Sequence, residues 1–339
     1  MFVYEITCDC GHKERFEHAG APRPDAAPLV RVVCSACGRI LYGRLPRQDG
    51  REPYVMRADT LRIRRAILDL FAEQGAPLTV RQVFYALSVR QVIPKSERGY
   101  RVTQYHLAQM RRDGSIPYGW IADNTRWQIK SPSYSGLRAA LQRTREIYRR
   151  DLWADQGVYV EVWVEKDALA GVISRVTDEF GVPLLVARGY SSMTFLYEAA
   201  EAIKAIGKPT YVYHFGDYDP SGVNAAEKIQ EGLAEHGARV HFERVAVTEE
   251  QIEQYSLPSR PTKEGDPRSK KWGHRPSVEL DALPAPILRD LVRDCITRHI
   301  DVAVWKRTLA IEAEERRTLE MILSYLPQVQ GPAGVVSTV

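Results

Sequence analysis

The most restrictive feature of the sequence is an alternation of short apolar runs with amphipathic stretches after Gly157. Because parallel strands need a crossover between them, usually a helix, this order predicts a mainly parallel sheet with helices on both faces. Functional groups of such sheets lie beyond the carboxyl ends of the strands. The runs typical of strands cover residues 158–165, 183–189, 209–219 and 238–247.

Three carboxylates fall at predicted strand ends. Glu165 closes the first strand, and Asp217 and Asp219 close the third. Alternate residues of an extended segment face the same side, so Asp217 and Asp219 can converge. Carboxylates gathered in one pocket repel one another unless a cation is present, and Mg²⁺ prefers such hard oxygen ligands. We therefore expect a magnesium site formed by Glu165, Asp217 and Asp219.

Four of the five cysteines lie within the first 37 residues, in two close pairs. Cys34 and Cys37 have the spacing and the following glycine that are typical of a zinc knuckle. Cys8 and Cys10 are separated by one residue, which is less common, and His12 could replace either of them as a ligand. Disulfides and reduced thiols are the alternatives. A structural zinc ribbon over residues 1–45, which folds on its metal, is the favoured interpretation.

A basic block follows this segment. Residues 57–150 contain 18 Lys/Arg against 7 Asp/Glu, in a chain of 339 residues whose net charge is only +4. Such a block is typical of a domain that binds a polyanion. A solvated basic face is the other interpretation of the same charges.

The same block predicts three helices and a hairpin, the order of a winged-helix domain. The helices are expected at residues 59–74, after the N-cap Thr79, and after Ser96; the hairpin is expected within residues 115–127. In a winged-helix domain the third helix enters the DNA major groove. The alternative is a small helical domain with solvated charges. The candidate DNA contacts on the third helix are Arg98, Arg101, Gln104, His106, Gln109, Arg111 and Arg112.

Three further segments complete the prediction. A connecting helix is expected from about Gly136 to Asp155, and the polar, turn-rich residues 43–53 are expected to be a linker. Residues 258–276 lack apolar periodicity and predict an exposed basic loop. Two helices are expected near the end of the chain, and Cys295 in the first of them is expected to be buried.

Composition and hydropathy exclude some classes of protein. No apolar run reaches the roughly 18 residues that a membrane-spanning helix needs. The first residues lack a basic stretch followed by an apolar one, so no secretory signal is expected and a cytoplasmic location is the default. No membrane partner is expected.

Glu165 followed two strands later by Asp217-Tyr218-Asp219-Pro220-Ser221-Gly222 resembles the Toprim domain of topoisomerases, primases and related nucleases. The resemblance covers residues 157–247. It implies that the acids bind Mg²⁺ and act on a phosphodiester, with Glu165 as a ligand or a proton-transfer group.

Arg81-Gln82-Val83-Phe84-Tyr85 is similar to the Arg-x-x-Tyr-Tyr motif of the topoisomerase VI A subunit and the related meiotic double-strand-break proteins. In that family the second tyrosine, here Tyr85, attacks DNA and becomes linked to its 5′ end, and Arg81 matches the motif arginine. Phe84 departs from the pattern at the first tyrosine. Residues 278–283 resemble a further family segment, so the resemblance spans residues 57–300 and excludes the cysteine pairs.

Together with the zinc ribbon (1–45) expected from the cysteines, the resemblance predicts a winged-helix domain with the nucleophile (57–150) and a Toprim domain with a C-terminal helical extension (157–339). It implies a homodimer in which the tyrosine of one subunit works with the metal site of its partner. Strand passage would need a separate ATPase subunit, because the chain has no Gly-rich Walker-type loop.

Two other functions fit the same residues. A hydrolytic Toprim nuclease would keep the acids but use water, leaving Tyr85 a structural role. A non-catalytic DNA-binding protein would use the zinc ribbon and the winged helix alone. An aromatic pair on an amphipathic helix usually packs in a core, which is the structural interpretation of Tyr85. The agreement of Arg81 and the downstream acids with the family pattern favours the catalytic interpretation, and the complete set of three acids speaks against the non-catalytic one.

Overall fold

The computed structural model describes residues 2–19, 25–49, 51, 55–122, 133–189, 191–260, 272 and 275–326. The chain begins with two antiparallel hairpins. Strands β1 (Phe2–Thr7) and β2 (Lys13–His18) form the first, and β3 (Leu29–Val33) and β4 (Ile40–Arg44) form the second. The predicted linker therefore begins after β4, because Gly43 pairs with Val30 in the second hairpin.

Three helices follow, as the apolar periodicity predicts: α1 (Ala58–Gln74), α2 (Val80–Val89) and α3 (Glu97–Arg112). Thr79 caps α2 in a reciprocal capping box with Gln82, and Ser96 caps α3 by accepting the N–H of Gly99. Leu70, Leu87, Leu107 and Met110 are buried where the three helices meet.

The segment expected to form a hairpin takes another form where it is described. Tyr118–Trp120 form a short 3₁₀ turn, and Ile121 then makes an isolated parallel bridge with Leu78. The bridge ties the turn to the residue before the N-cap of α2, because the N–H of Leu78 donates to the carbonyl of Trp120 and the N–H of Ala122 donates to the carbonyl of Leu78. The rest of the expected hairpin, from residue 123 onward, lies outside the described residues.

Helix α4 (Leu137–Ile147) is shorter than the predicted helix from Gly136 to Asp155. The chain leaves the helix at Tyr148, which is not helical in its backbone, so that Leu152 and Trp153 can be buried against the rest of the molecule. The last residues of the predicted segment are thus core residues outside a helix.

The alternating part of the sequence folds into a four-stranded parallel sheet of order β6-β5-β7-β8. Its strands are β5 (Tyr159–Val164), β6 (Leu184–Val186), β7 (Thr210–Phe215) and β8 (Val240–Ala246), and the intervening helices are α5 (Asp167–Phe180), α6 (Met193–Ile206) and α7 (Pro220–Glu235). The predicted parallel α/β architecture is confirmed. Two separate apolar clusters, one containing Val160 and Val162 and one containing Trp163 and Val212, flank the sheet.

Three helices close the described chain: α8 (Glu249–Gln254), α9 (Ala285–Thr297) and α10 (Val302–Tyr325). Helix α9 packs on α5, and α10 packs on α4. Cys295 in α9 is buried, as expected. Most of the loop expected at residues 258–276 lies outside the described residues.

No helix in the described ranges is long and apolar enough to cross a membrane.

Candidate functional site

Each cysteine pair occupies the turn of one N-terminal hairpin. Cys8 and Cys10 lie between β1 and β2, and Cys34 and Cys37 lie between β3 and β4. The two turns are built alike, since the N–H of Gly11 donates to the carbonyl of Cys8 and that of Gly38 to the carbonyl of Cys34. Both glycines have positive φ, a conformation that other residues adopt only at a cost. The shorter spacing of the first pair therefore still gives a knuckle-like turn.

The four sulfurs come together although their pairs are 24 residues or more apart in the chain. Cys8 Sγ lies 3.6 Å from Cys37 Sγ, and Cys10 Sγ lies 3.6 Å from Cys34 Sγ. All four fall within 4.8 Å of one another. Tetrahedral Zn²⁺ with Zn–S bonds of ~2.3 Å separates its sulfurs by about 3.8 Å, so the four cysteines fit a metal ion such as zinc.

His12, the alternative ligand, is engaged elsewhere. Its Nε2 lies 3.1 Å from Ser35 Oγ and 3.2 Å from a carboxylate oxygen of Glu14. Cys8 and Cys34 are buried, whereas Cys10 and Cys37 are exposed at the turn surface. The backbone N–H of His12, and then the neighbouring thiols, lower the pKa of Cys10 to about 7. Backbone hydrogen bonds lower the pKa of Cys8 and of Cys37 as well, but burial and neighbouring thiols outweigh them and raise both pKa values.

The three predicted acids lie at the carboxyl edge of the parallel sheet. Glu165 follows β5 directly, Asp217 lies two residues beyond β7, and Asp219 caps α7 by accepting the N–H of Gly222 at 2.8 Å. The N–H of Asp217 donates to Glu165 Oε2 at 2.9 Å, which links the two strand ends. All three side chains line one cavity of about 650 Å³.

Two glycines make room for the Glu165 carboxylate. A Cβ at Gly216 would come within 2.8 Å of Glu165 Oε2, and a Cβ at Gly222 would lie 3.2 Å from the same oxygen and 2.5 Å from the carbonyl of Asp217. Any larger residue at Gly222 would therefore displace the backbone of the Asp217 turn. Burial, together with the charge of Asp217, raises the pKa of Glu165, so a bound cation would stabilise its charged form.

The acids do not by themselves form a closed cation cage. In the described chain the only group of cysteine, histidine or carboxylate ligand atoms that all lie within 4.8 Å of one another is the four cysteines. The hydrogen bonds of Glu165, Asp217 and Asp219 each use one carboxylate oxygen, which leaves the second oxygen for another partner. Mg²⁺ commonly uses one or two carboxylates plus waters and phosphate oxygens, so the three acids fit an ion that arrives with a phosphate.

A lysine ammonium stands at the centre of the acidic cluster. Lys166 Nζ lies 2.9 Å from Asp217 Oδ1, 2.9 Å from Asp281 Oδ2 and 3.6 Å from Glu279 Oε2. Burial alone would lower the pKa of Lys166, but the carboxylates outweigh it and raise this pKa, so the ammonium stays charged. Lys166 thus neutralises part of the negative charge that sequence reasoning assigned to a metal alone.

Glu279 and Asp281 reach the cavity through backbone pairing. Val278 exchanges two hydrogen bonds with Tyr218, of 2.8 and 2.9 Å, and Ser277 pairs with Arg260. The N–H of Leu280 donates to Asp217 Oδ1 at 2.8 Å. These bonds hold residues 277–281 beside the turn that carries Asp217.

The carboxylate of Glu279 contacts several basic side chains. This buried carboxylate forms ion pairs with Arg81 of α2 and with Arg260, besides the longer contact to Lys166. Arg81 Nη1 lies 2.6 Å from Glu279 Oε1. Burial alone would raise the pKa of Glu279, but Lys166, Arg81 and Arg260 outweigh it and lower the pKa to about 2. Two of these cations, Lys166 and Arg260, are absent from the set that the sequence predicted.

Tyr85 is largely buried but opens onto a cavity of about 360 Å³ that Lys95, Arg81 and Arg260 also line. The Lys95 ammonium lies 5.9 Å from the centre of the Tyr85 ring. Burial, and then the charge of Glu279, raises the pKa of Tyr85 to about 12. The phenol is therefore neutral at pH 7. Phe84 packs against Tyr85 and Tyr100, as expected of a core residue.

The cavity of Tyr85 and the cavity of the acids adjoin each other. Arg81, Tyr100 and Arg260 line both of them. Thr79, the residue that caps α2, donates from its hydroxyl to Asp281 Oδ1 at 2.8 Å and so fixes this helix to the acidic segment. Arg81 and Tyr85, four residues apart on α2, are both positioned by this contact.

Helix α3 exposes most of the predicted DNA contacts. Arg98, Arg101, Gln104 and Arg112 are exposed, whereas Arg111 and Gln109 are half-buried. His106 is an exception, because it lies on the buried face of the helix with Thr103 and Leu107. The expectation that His106 contacts DNA is wrong for this reason. Burial lowers the pKa of His106 to about 4, so the ring is neutral.

The residues that sequence reasoning missed had weak local signals. Lys166 directly follows Glu165 at a strand end, and Glu279 and Asp281 alternate with Val278, Leu280 and Ala282 in an otherwise apolar segment. Carboxylates in an apolar segment are rarely buried without a partner, which could have pointed to this cluster. Arg260 had no comparable signal.

The chain matches no protein-family model and no curated protein sequence.

Proposed function

We propose that the chain is a magnesium-dependent DNA-cleaving enzyme similar to the topoisomerase VI A subunit, in which Tyr85 forms a 5′-phosphotyrosyl link. In this proposal the parallel sheet with its acids is a Toprim domain, and α1–α3 are the helices of a winged-helix domain. The observation that carries the proposal is that the phenol cavity and the acid cavity share Arg81, Tyr100 and Arg260.

The two arginines supply a binding site for the scissile phosphate. Both guanidinium groups are partly exposed, and each forms an ion pair with the carboxylate of Glu279. A phosphodiester, like a carboxylate, presents two anionic oxygens that can accept a pair of guanidinium hydrogen bonds, so it can compete for these donors. A phosphate held by Arg81 and Arg260 lies between the phenol and the acids.

Displacing the arginines also changes the proton chemistry of Glu279. Arg81 and Arg260 help to hold the pKa of Glu279 at about 2, so the carboxylate is a poor base before DNA binds. When the arginines turn to a phosphate, Glu279 loses part of this stabilisation and its pKa rises. Glu279 then becomes a better acceptor for the proton of Tyr85, and deprotonation is coupled to substrate binding.

The reaction that follows is a transesterification. The Tyr85 oxygen forms a bond to phosphorus as its proton passes to Glu279, and the bond between phosphorus and the DNA 3′-oxygen breaks. The 3′-oxygen takes a proton from water in the acid cavity. Mg²⁺ bound by Glu165, Asp217 and Asp219 would stabilise negative charge on the phosphate and the leaving oxygen.

The remaining parts of the chain have supporting roles in this proposal. The exposed face of α3, with Arg98, Arg101, Gln104 and Arg112, contacts the DNA duplex, and half-buried Arg111 contacts the phosphate backbone beside it. The cysteine cluster holds a structural zinc ion. A homodimer and a separate ATPase subunit are expected only from the family resemblance.

Supercoiled plasmid, incubated with protein and Mg²⁺, quenched with detergent and analysed with and without protease, tests the proposal. Wild type is expected to yield linear or nicked DNA whose 5′ ends carry protein. Tyr85→Phe should bind DNA but form no adduct, and Tyr197→Phe, which alters an exposed tyrosine of α6, should behave as wild type. Adducts that persist in Tyr85→Phe would disprove the assignment of the nucleophile.

Hydrolysis by a Toprim-type nuclease is the second candidate, and the neutral state of Tyr85 favours it. Its pKa of about 12 makes the phenol a poor nucleophile until Glu279 is freed. Water would then attack the phosphorus instead, and Mg²⁺ held by Glu165, Asp217 and Asp219 would supply charge stabilisation. This candidate predicts free 5′-phosphates, undiminished cleavage by Tyr85→Phe, and loss of cleavage by Asp217→Asn.

A further inference from the structure

A groove that is separate from the cavity of Tyr85 runs between the cysteine hairpins and the helices. It has a volume of about 760 Å³, within the range of about 300–1,000 Å³ that is usual for small-molecule sites. One wall is formed by strands β2 and β3, with Phe16, Val30 and Val32, and the other by α1 and the 3₁₀ turn. The position of the two walls is fixed by contacts such as the 2.8 Å ion pair of Arg31 with Asp69.

The turn places aromatic rings in this groove. Tyr118 is 64% exposed, and the guanidinium carbon of Arg111 lies 5.6 Å from its ring centre. Trp120 packs against Phe71, with ring centres 5.0 Å apart, and lines the groove as well. An exposed ring flanked by an arginine is an arrangement that stacks on nucleic acid bases.

Arg111 connects this groove to the candidate active site. Its side chain lines both the groove and the cavity of the acids. Across the described ranges Arg111 forms no ion pair with a carboxylate; its Nε donates only to the carbonyl of Leu107, at 3.4 Å. Arg111 thus lies between the aromatic groove and the proposed phosphate site. The phosphate backbone of a bound strand would pass beside its guanidinium group.

We propose that this groove binds an unpaired base of single-stranded DNA, stacked on Tyr118, while Arg111 contacts the phosphate between that base and the acid cavity. A base within a duplex has both faces covered and cannot stack on Tyr118, so the groove selects unpaired DNA. The inference rests on the proposed function only in that it takes DNA as the polymer.

Equilibrium binding tests the groove without cleavage. Fluorescence anisotropy would be measured with labelled oligonucleotides and no added divalent ion, comparing single-stranded DNA, duplex DNA of the same sequence, and single-stranded RNA. Tyr118→Ala should weaken single-stranded DNA binding about fivefold or more, the loss of one stacked base. Tyr118→Phe, which keeps the ring, should bind as wild type. Tyr197→Ala, which removes a 51% exposed tyrosine of α6, should also have no effect.

An abasic position in the oligonucleotide gives an independent readout. Placed where the stacking base would be, the abasic site should weaken DNA binding by wild type as much as the Tyr118→Ala substitution does. It should cause no further loss of affinity in Tyr118→Ala. Three results would each overturn the proposal. The first is that Tyr118→Ala and Tyr197→Ala bind single-stranded DNA equally well. The second is that Tyr118→Ala weakens duplex binding as much as single-strand binding, and the third is that wild type binds RNA more tightly than DNA.

The groove and the active site can fail separately. A Tyr118-dependent binding of single strands by a protein that never forms DNA adducts would retain the groove and reject the proposed function. DNA adducts from a protein whose binding ignores Tyr118 would retain the function and reject the groove.

Discussion

The cysteine module and the acidic cavity bring charged or reactive groups together in opposite ways. The four cysteines come from two hairpin turns of the same design, all within the first 37 residues. The cavity is assembled from α2, two strand ends and residues 277–281, so contacts such as Arg81 to Glu279 span 198 positions. The first site depends on local turns, and the second depends on the whole fold.

This difference matters for how each site is neutralised. Four thiolates within 4.8 Å of one another would concentrate negative charge, which a metal ion at their centre would balance. The acidic cavity carries Lys166, Arg81 and Arg260 within its own ion pairs. We therefore expect metal to be needed for folding in the module and only for chemistry in the cavity.

The largest effect is expected in the cysteine module. Cys34→Ala removes one buried ligand, and bound zinc, measured by elemental analysis of purified protein, should fall from about one ion per chain to near zero. Cys295→Ala, which changes a buried cysteine far from the cluster, should keep its zinc. Equal zinc in Cys34→Ala and wild type would show that the four cysteines do not hold the ion.

A smaller but still large effect is expected for the internal cation. Lys166→Met leaves Asp217 and Asp281 without their ammonium partner, which should lower the free energy of unfolding by about 3 kcal/mol, measured by urea denaturation. Lys204→Met removes an exposed i,i+3 pair with Glu201 and should change it by less than about 0.5 kcal/mol. Similar effects of the two substitutions would mean that Lys166 does not hold the cavity together.

Glu279 should give the cavity a characteristic pH dependence. Its pKa is about 2 in the folded chain and near its ordinary value of 4.5 when unfolded, so its ionisation stabilises the fold above pH 4.5 and this contribution is lost as the pH falls towards 2. Comparing urea denaturation of wild type and Glu279→Gln between pH 6 and pH 3, we expect the advantage of wild type to shrink as the pH falls. An advantage that stays constant would contradict the lowered pKa.

The smallest effect is expected at the helix that carries Tyr85. Thr79→Ala removes the cap of α2 and the hydroxyl bonded to Asp281, and should cost about 2 kcal/mol. Thr248→Ala removes a capping box of the same type from α8, without a buried carboxylate partner, and should cost about 1 kcal/mol or less. Thermal unfolding of the two variants checks this. Equal losses of stability would show that the hydrogen bond from Thr79 to Asp281 does not stabilise the fold.

Much of the fold could be predicted because its determinants are local. The alternation of apolar runs and amphipathic stretches predicted helices between the parallel strands, and Thr79 and Ser96 were recognisable as helix caps. The end of α4 could not be predicted, because burial of Leu152 and Trp153 depends on packing against distant parts of the chain. The turn at Tyr118–Trp120 likewise depends on pairing of Ile121 with Leu78.

The candidate site was predictable only where strand ends bear the residues. Glu165, Asp217 and Asp219 follow from the rule that parallel strands present their carboxyl ends at one edge. Lys166, Glu279 and Arg260 could not be found this way, since their meeting depends on pairing of Val278 with Tyr218 and of Ser277 with Arg260. Those bridges join segments 17 or more positions apart and leave no periodicity in the sequence.

The central claim is that Tyr85 and the acids of one and the same chain act together, and not across a dimer as the family resemblance implies. Mixing two inactive variants tests this claim most directly. Tyr85→Phe and Asp217→Asn would be combined, allowed to exchange subunits, and assayed for protein-linked DNA under conditions in which wild type forms adducts. Because Arg81, Tyr100 and Arg260 join the two cavities within one chain, we predict that the mixture forms no adducts. Adducts restored by mixing would contradict this account and show that the phenol works with the acids of a partner subunit.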